Sequence, residues 1–456
     1  MKAPMSGTEA EPGPERLTVS AARAVLDEGL LTSVDLIGAC LRRIDERDGD
    51  VAAWAHLDPN AALDAARAAD SALKRLHAAG TKVPPLLGIP IGVKDIIDTA
   101  DQPTENGTAV FAGRRPSADA SVVAQLRAAG AIVLGKTVTT ELAFFGPGKT
   151  RNPHDRRRTP GGSSSGSAAA VADFQVPLAL GTQTAGSIIR PASYCGVIGY
   201  KPTFGYVSRS GVLAQSAPLD TIGGYARSVE DVAILIDAMS GYDVADRDMS
   251  CGAKPPLADA LAETTRRAPR LAFVKSPAWP HADPAARAVF DTFADSFDAR
   301  AEVVETPLPP EFDGALRLQQ IVQFSDIARN YGPIADAHPE KVSQKLKDII
   351  AEGRSFTMSD YAAARAERDP LYDALRPILV NYDAILTPAA PGAALIGLEA
   401  TGSPMFNALW TYFGMPCISL PLLKVDGMPL GVQLTGARGN DAGVLRAAQW
   451  LMSHYR

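Results

Sequence analysis

The stretch VPLALGTQTAGSIIRPASYCGVIGYKPTFG, Val176 to Gly205, reads as an apolar strand, a turn of small residues, and a second strand in CGVIGYKP. Short apolar runs bounded by Gly and Pro mark buried strands. Similar runs flank it, LLGIPIGVKD and AIVLGKT upstream, YDAILTPAA, CISLPLL and LGVQLTG downstream, alternating with helical segments such as SVVAQLRAAG and VEDVAILIDAMSG. That alternation predicts an α/β fold whose sheet is covered by helices on both faces.

Farther out, Leu17 to Gly80 carries apolar residues at helical spacing, with Thr32 or Ser33 as a cap for the second helix and Gly80 as the end of the third. The expected organisation is a disordered tail over 1–16 and one domain over 17–456. Within it, 17–82 supplies helices and 83–250 the chemistry-bearing core; 251–370 is mainly helical with one strand in RLAFVKS, and 371–456 returns to strands and a final helix. With 456 residues, 46% hydrophobic and 21% charged, the chain has the composition of a folded protein. A net charge of −6 offers no basic surface for nucleic acid. No signal-like or membrane-spanning run is present, so the cytoplasm is the expected compartment. Cys40, Cys195, Cys251 and Cys417 are widely spaced and read as buried thiols, with no metal site expected.

Two formal motifs fail on context. Gly130 to Thr137, GAIVLGKT, fits the P-loop pattern, yet Ala131 to Leu134 is itself strand-like and Gly130 reads as the end of the preceding helix. Gly162 to Gly166, GSSSG, fits the nucleophile elbow of α/β-hydrolases, yet the charged, proline-broken HDRRRTPG precedes it where a buried strand is required.

A serine can be activated without histidine by a lysine whose amine is neutral, which needs a desolvated setting. Lys94, inside the apolar run GIPIGVKDIID, has that setting; pairing with Asp95 or Asp98 is the plainer alternative. Ser187 follows the turn Thr184, Ala185, Gly186, whose backbone N–H groups can converge as an oxyanion hole. The plainer alternative there is a glycine turn opening a helix.

The blocks GIPIGVKDIID, GKTVTTELAFFG, NPHDRRRTPGGSSSGSAAAVA, VPLALGTQTAGSIIRPASYCGVIGYKPTFG and FNALWTYFGMPCISLPLL together resemble the amidase signature family, from about Leu31 to the C-terminus. The resemblance implies a large mixed twisted β-sheet between helices, no cofactor, and a triad of Lys94, Ser163 after a cis peptide, and Ser187. It further implies an oxyanion hole from Thr184, Ala185, Gly186 and Ser187, with Ser163 relaying protons between Lys94 and the nucleophile. Departures from the family pattern are Ser165, Gln183 in place of an aspartate, and Ala185 in place of a glycine.

Arg190 has the spacing of the malonamidase-like branch, where this arginine meets a substrate carboxylate; pairing with a nearby carboxylate is the alternative. Phe144, Phe145, Phe406, Trp410 and Arg209 are further candidates for substrate contact, against the alternative that the aromatic residues are core. The expected function is a serine amidohydrolase acting on a small amide, anilide or carbamate-like C–N bond. It is expected as a monomer or homodimer, with a small-molecule amide substrate and neither nucleic acid nor membrane as partner. The alternatives are an amidotransferase A-type subunit that needs partner chains, and a binding scaffold without activity.

Overall fold

The computed structural model describes residues 13–250, 252, 254–262, 267–297 and 301–455. Its strands are β1 (Trp54–Leu57), β2 (Pro90–Lys94), β3 (Ile132–Thr137), β4 (Leu178–Gln183), β5 (Ile198–Lys201), β6 (Thr221–Ala226), β7 (Arg270–Phe273), β8 (Glu302–Glu305), β9 (Ala384–Pro388), β10 (Cys417–Val425) and β11 (Met428–Thr435). All join one sheet in the order β1-β3-β2-β4-β6-β5-β10-β11-β9-β7-β8. It is mixed. β2 runs parallel to β3 and β4, and β7 parallel to β8 and β9, while β4–β6, β5–β6, β5–β10 and β9–β11–β10 are antiparallel.

Neighbouring residues of a strand point to opposite faces, and Gly223 and Gly224 of β6 show what covers each. A Cβ on Gly223 would meet Tyr200 O at 2.0 Å and Ile188 Cδ1 at 3.0 Å, beside the helix Ile189–Cys195. On Gly224 it would meet Leu235 Cδ2 at 2.4 Å, in the helix Val229–Met239. Helices therefore lie on both faces of β6, where Leu235 leaves no room for a side chain on Gly224 and the carbonyl of Tyr200 in the neighbouring strand leaves none on Gly223.

Thr32 caps the helix Ser33–Val51 through a reciprocal bond set with Asp35, and Gly80 sits at φ 61° just past the helix Pro59–Ala78. Between these helices lies β1, which the helical reading of Leu17 to Gly80 does not include. β6 and β8 likewise lie outside the expected strands. The expected tail falls partly on residues 1–12, outside the described residues; Pro14–Arg16 form a 3-10 turn whose Glu15 carbonyl accepts from Arg227. Cys40, Cys195 and Cys417 are buried free thiols, and Cys251 lies outside the described residues. Among the described residues no helix is long and apolar enough to cross a membrane.

Candidate active site

Lys94 ends β2, fully buried, with its Nζ 2.7 Å from both Ser163 Oγ and Thr182 Oγ1. The pairing with Asp95 or Asp98 does not form: Asp95 faces Lys136 at 3.6 Å, and Asp98 holds Arg114 at 2.7 Å. With two hydroxyls and no carboxylate in contact, burial pushes the Lys94 ammonium well below its ordinary value, and the nearby charge of Asp220 opposes that fall only in part.

Ser163 follows a cis Gly162–Ser163 peptide and precedes the helix Ser165–Ala172. The neighbouring serines stitch this turn to the sheet. Ser164 Oγ accepts from Thr182 N, Ser167 Oγ donates to Leu180 O, and Ser165 Oγ donates to Gly161 O. Thr140 N donates to the Ser163 carbonyl, which ties the turn to the segment carrying Phe144 and Phe145.

Ser187 is partly exposed, on the turn between β4 and the helix Ile189–Cys195. The backbone N–H groups of Ala185, Gly186 and Ser187 find no acceptor among the described residues. Consecutive unpaired donors at one turn form an anion-binding concavity. Thr184 Oγ1 donates to Asp220 at 2.6 Å, and Thr411 Oγ1 donates to the Ala185 carbonyl at 2.7 Å, so the turn is held from both sides. Gln183 Oε1 accepts from Ile188 N and Ile189 N while its Nε2 donates to Thr411. The neutral amide thus anchors the helix start where the family pattern has a carboxylate.

Arg190 is buried, and its guanidinium is divided. Nε donates to Thr401 O and Nη2 to Gly162 O, whereas Nη1 has no hydrogen-bond partner among the described residues; Arg190 is one of the residues lining the small cavity at Ser187. Burial lowers its pKa to about 10, which leaves it cationic at neutral pH. Among the described residues no carboxylate pairs with it; Nη2 braces the Ser163 turn through the Gly162 carbonyl, Nε holds Thr401, and Nη1 is left without a hydrogen-bond partner.

Phe144 and Phe145 line that cavity beside Ala143, Gln215, Gln323 and Pro404. The segment before them is a short 3-10 turn with Leu142 and Ala143 left-handed. Phe406 and Trp410 do not reach the cavity. Phe406 packs on Ala278 and Ala282, and Trp410 is fully buried in the main core, because the helix Met405–Tyr412 turns its aromatic residues inward. Arg209 lines a second, larger cavity, but Asp246, Asp248 and the Ala217 carbonyl occupy its guanidinium. Three residues without a motif signal complete the surroundings: Asp220, Gln215 and Gln323 are brought in by topology alone. Among the described residues no cluster of His, Cys, Asp or Glu is suited to a metal ion.

The amidase family model matches residues 35–445. The A-type subunit of the glutamyl-tRNA(Gln) amidotransferase of Chloroflexus aggregans is 34% identical, over 94% of each chain. A solved chain from a vestigial protein complex, tied to the origins of an s-triazine catabolic enzyme, superposes with a TM-score of 0.87 at 30% identity, covering 96% of this chain and 98% of that one. The peptide amidase of Stenotrophomonas maltophilia superposes with a TM-score of 0.82 at 28% identity, covering 97% of each. These relatives correct the expectation of a monomer or homodimer that meets only a small amide and no nucleic acid: the curated relative is one subunit of an enzyme named for a tRNA. A whole-chain net charge of −6 says nothing of how charge is distributed over the surface.

Proposed function

The chain belongs to the amidase family, and on that premise we propose that it works as an amidotransferase A-type subunit, releasing ammonia from the side-chain amide of glutamine alongside partner chains. The observation that carries the chemistry is the buried contact of Lys94 with Ser163 beside the Ser187 turn. Similarity to the amidotransferase chain of Chloroflexus aggregans over 94% of both chains supports the substrate and the need for partners.

In this reading neutral Lys94 takes the hydroxyl proton of Ser163 as Ser163 takes that of Ser187, whose Oγ attacks the amide carbon. The oxyanion is held by the N–H groups of Thr184, Ala185, Gly186 and Ser187. Ser163 then protonates the departing nitrogen, which leaves as ammonia, and Lys94 returns a proton to Ser163. Water attacks the acyl group on Ser187, the same relay removing its proton, and glutamate departs. The free Arg190 Nη1 supplies a donor for a carboxylate or carbonyl of the acyl group, and Phe144 and Phe145 wall the cavity.

A second reading, hydrolysis of a different amide by a chain still working in a complex, is favoured by the TM-score of 0.87 to the s-triazine-related chain. Ammonia release from L-glutamine, with γ-glutamyl hydroxamate formed when hydroxylamine is added, separates the two. We expect both products from the parent chain with partner subunits and neither from Ser187→Ala. Turnover of other amides with glutamine untouched would overturn the glutamine reading.

A further inference from the structure

Two cavities meet at the turn that carries Ser187. Thr184 lines the larger, of about 210 Å³, while Ala185 and Ser187 line the smaller. Ala143 and Gln215 are the residues common to both walls, and Gln215 Nε2 donates to the Ala143 carbonyl at 3.0 Å. The other end of that carboxamide is equally fixed: Gln215 Oε1 accepts from Gln323 Nε2 at 2.8 Å, and Gln323 Oε1 accepts from Gln319 Nε2 at 3.0 Å. A chain of buried, mutually satisfied amides is rigid, because breaking any link leaves a buried polar group unpaired.

We propose that Gln215 is a specificity-determining residue whose carboxamide walls the smaller cavity off from the larger and so limits the length of the acyl group that Ser187 accepts. The inference rests on the acyl-enzyme reading of Ser187. An acyl chain longer than the smaller cavity must displace the wall, and a group forced into occupied space meets steric strain. The main chain at Gln215 does not depend on the side chain, since its N–H donates to Asp220 and its carbonyl accepts from Asn330. Truncating Gln215 therefore opens the wall and leaves the loop anchored.

The test is the rate at which methane-, butane- and octanesulfonyl fluoride modify Ser187, read by peptide mass, in the parent chain, Gln215→Ala and the volume-conserving Gln215→Met. In the parent chain we expect the rate to fall at least about tenfold between the shortest and the longest reagent, the scale of discrimination a close-fitting pocket achieves. Gln215→Ala should recover most of that fall and Gln215→Met little of it. Equal rates for all lengths in the parent chain, an outcome independent of how the variants fold, would overturn the inference, as would an unchanged length dependence in Gln215→Ala. No modification of Ser187 by any reagent would instead overturn the acyl-enzyme reading, and the inference with it.

Discussion

Lys94 and Lys136 sit at the ends of neighbouring parallel strands, β2 and β3, and both are fully buried. Burial lowers both ammonium groups, Lys136 to about 8 and Lys94 well below its ordinary value. Their partners differ. Lys136 Nζ donates to the carbonyls of Ile97 and Pro103 and to Thr104 Oγ1, and it faces the carboxylate of Asp95. Among the described residues Lys94 meets two hydroxyls and no carboxylate. A cage of carbonyls and a counter-ion retains a cation, whereas hydroxyls leave an amine free to accept a proton. One lysine pins the loop after β2; the other can serve as a base.

The largest effect comes from removing the base. Lys94→Ala should lower kcat/KM for amide turnover by roughly 10²–10⁴-fold, the range of general-base catalysis, with the fold retained. Lys136→Met should do the reverse, because it strands the Asp95 carboxylate in the interior. Loss of one partner of a buried pair costs roughly 3–5 kcal/mol, to be read by denaturant titration, while activity per folded molecule persists. An outcome in which both variants lose activity and stability alike would erase the distinction.

A subtler change sharpens it. Asp220, held by Thr184 Oγ1, Gln215 N and Ser216 N, is the carboxylate whose charge raises the Lys94 pKa. Burial raises Asp220 itself to about 6 while the charge of Arg209 opposes that rise, and Asp220 together with burial pushes the Tyr331 phenol up. Activity should fall as pH drops through the Lys94 pKa, since the ammonium cannot accept a proton. Asp220→Asn removes the negative charge that favours the ammonium, so the acid limb of kcat/KM should move to lower pH. A purely structural Asp220 would lower the plateau and leave the limb in place.

Much of this is legible in the sequence, and the omissions have physical causes. The strands visible there, β2 to β5, β7 and β9 to β11, are apolar runs. β6, TIGGYA, lacks a continuous apolar run because its paired glycines make room for Ile188 on one face and Leu235 on the other. β1 and β8 are short strands at the two edges of the sheet, mostly outside the core, so WAHL and EVVE carry no continuous apolar run. Lys94, Ser163 and Ser187 sit in recognisable blocks. Asp220 and Gln215 do not, because each is placed through hydrogen bonds to residues distant in sequence. Phe406 and Trp410 illustrate the opposite error: aromatic residues beside a motif suggest a pocket wall, and their helix turns them into the core.

The proposed mechanism requires Lys94 to be a neutral amine at the pH of catalysis. Titration of its side-chain ¹⁵Nζ or ¹³Cε resonance, assigned by its absence in Lys94→Ala, measures this directly. The expected midpoint lies well below 10.5 and falls further in Asp220→Asn. A Lys94 that titrates at the ordinary lysine value would contradict it.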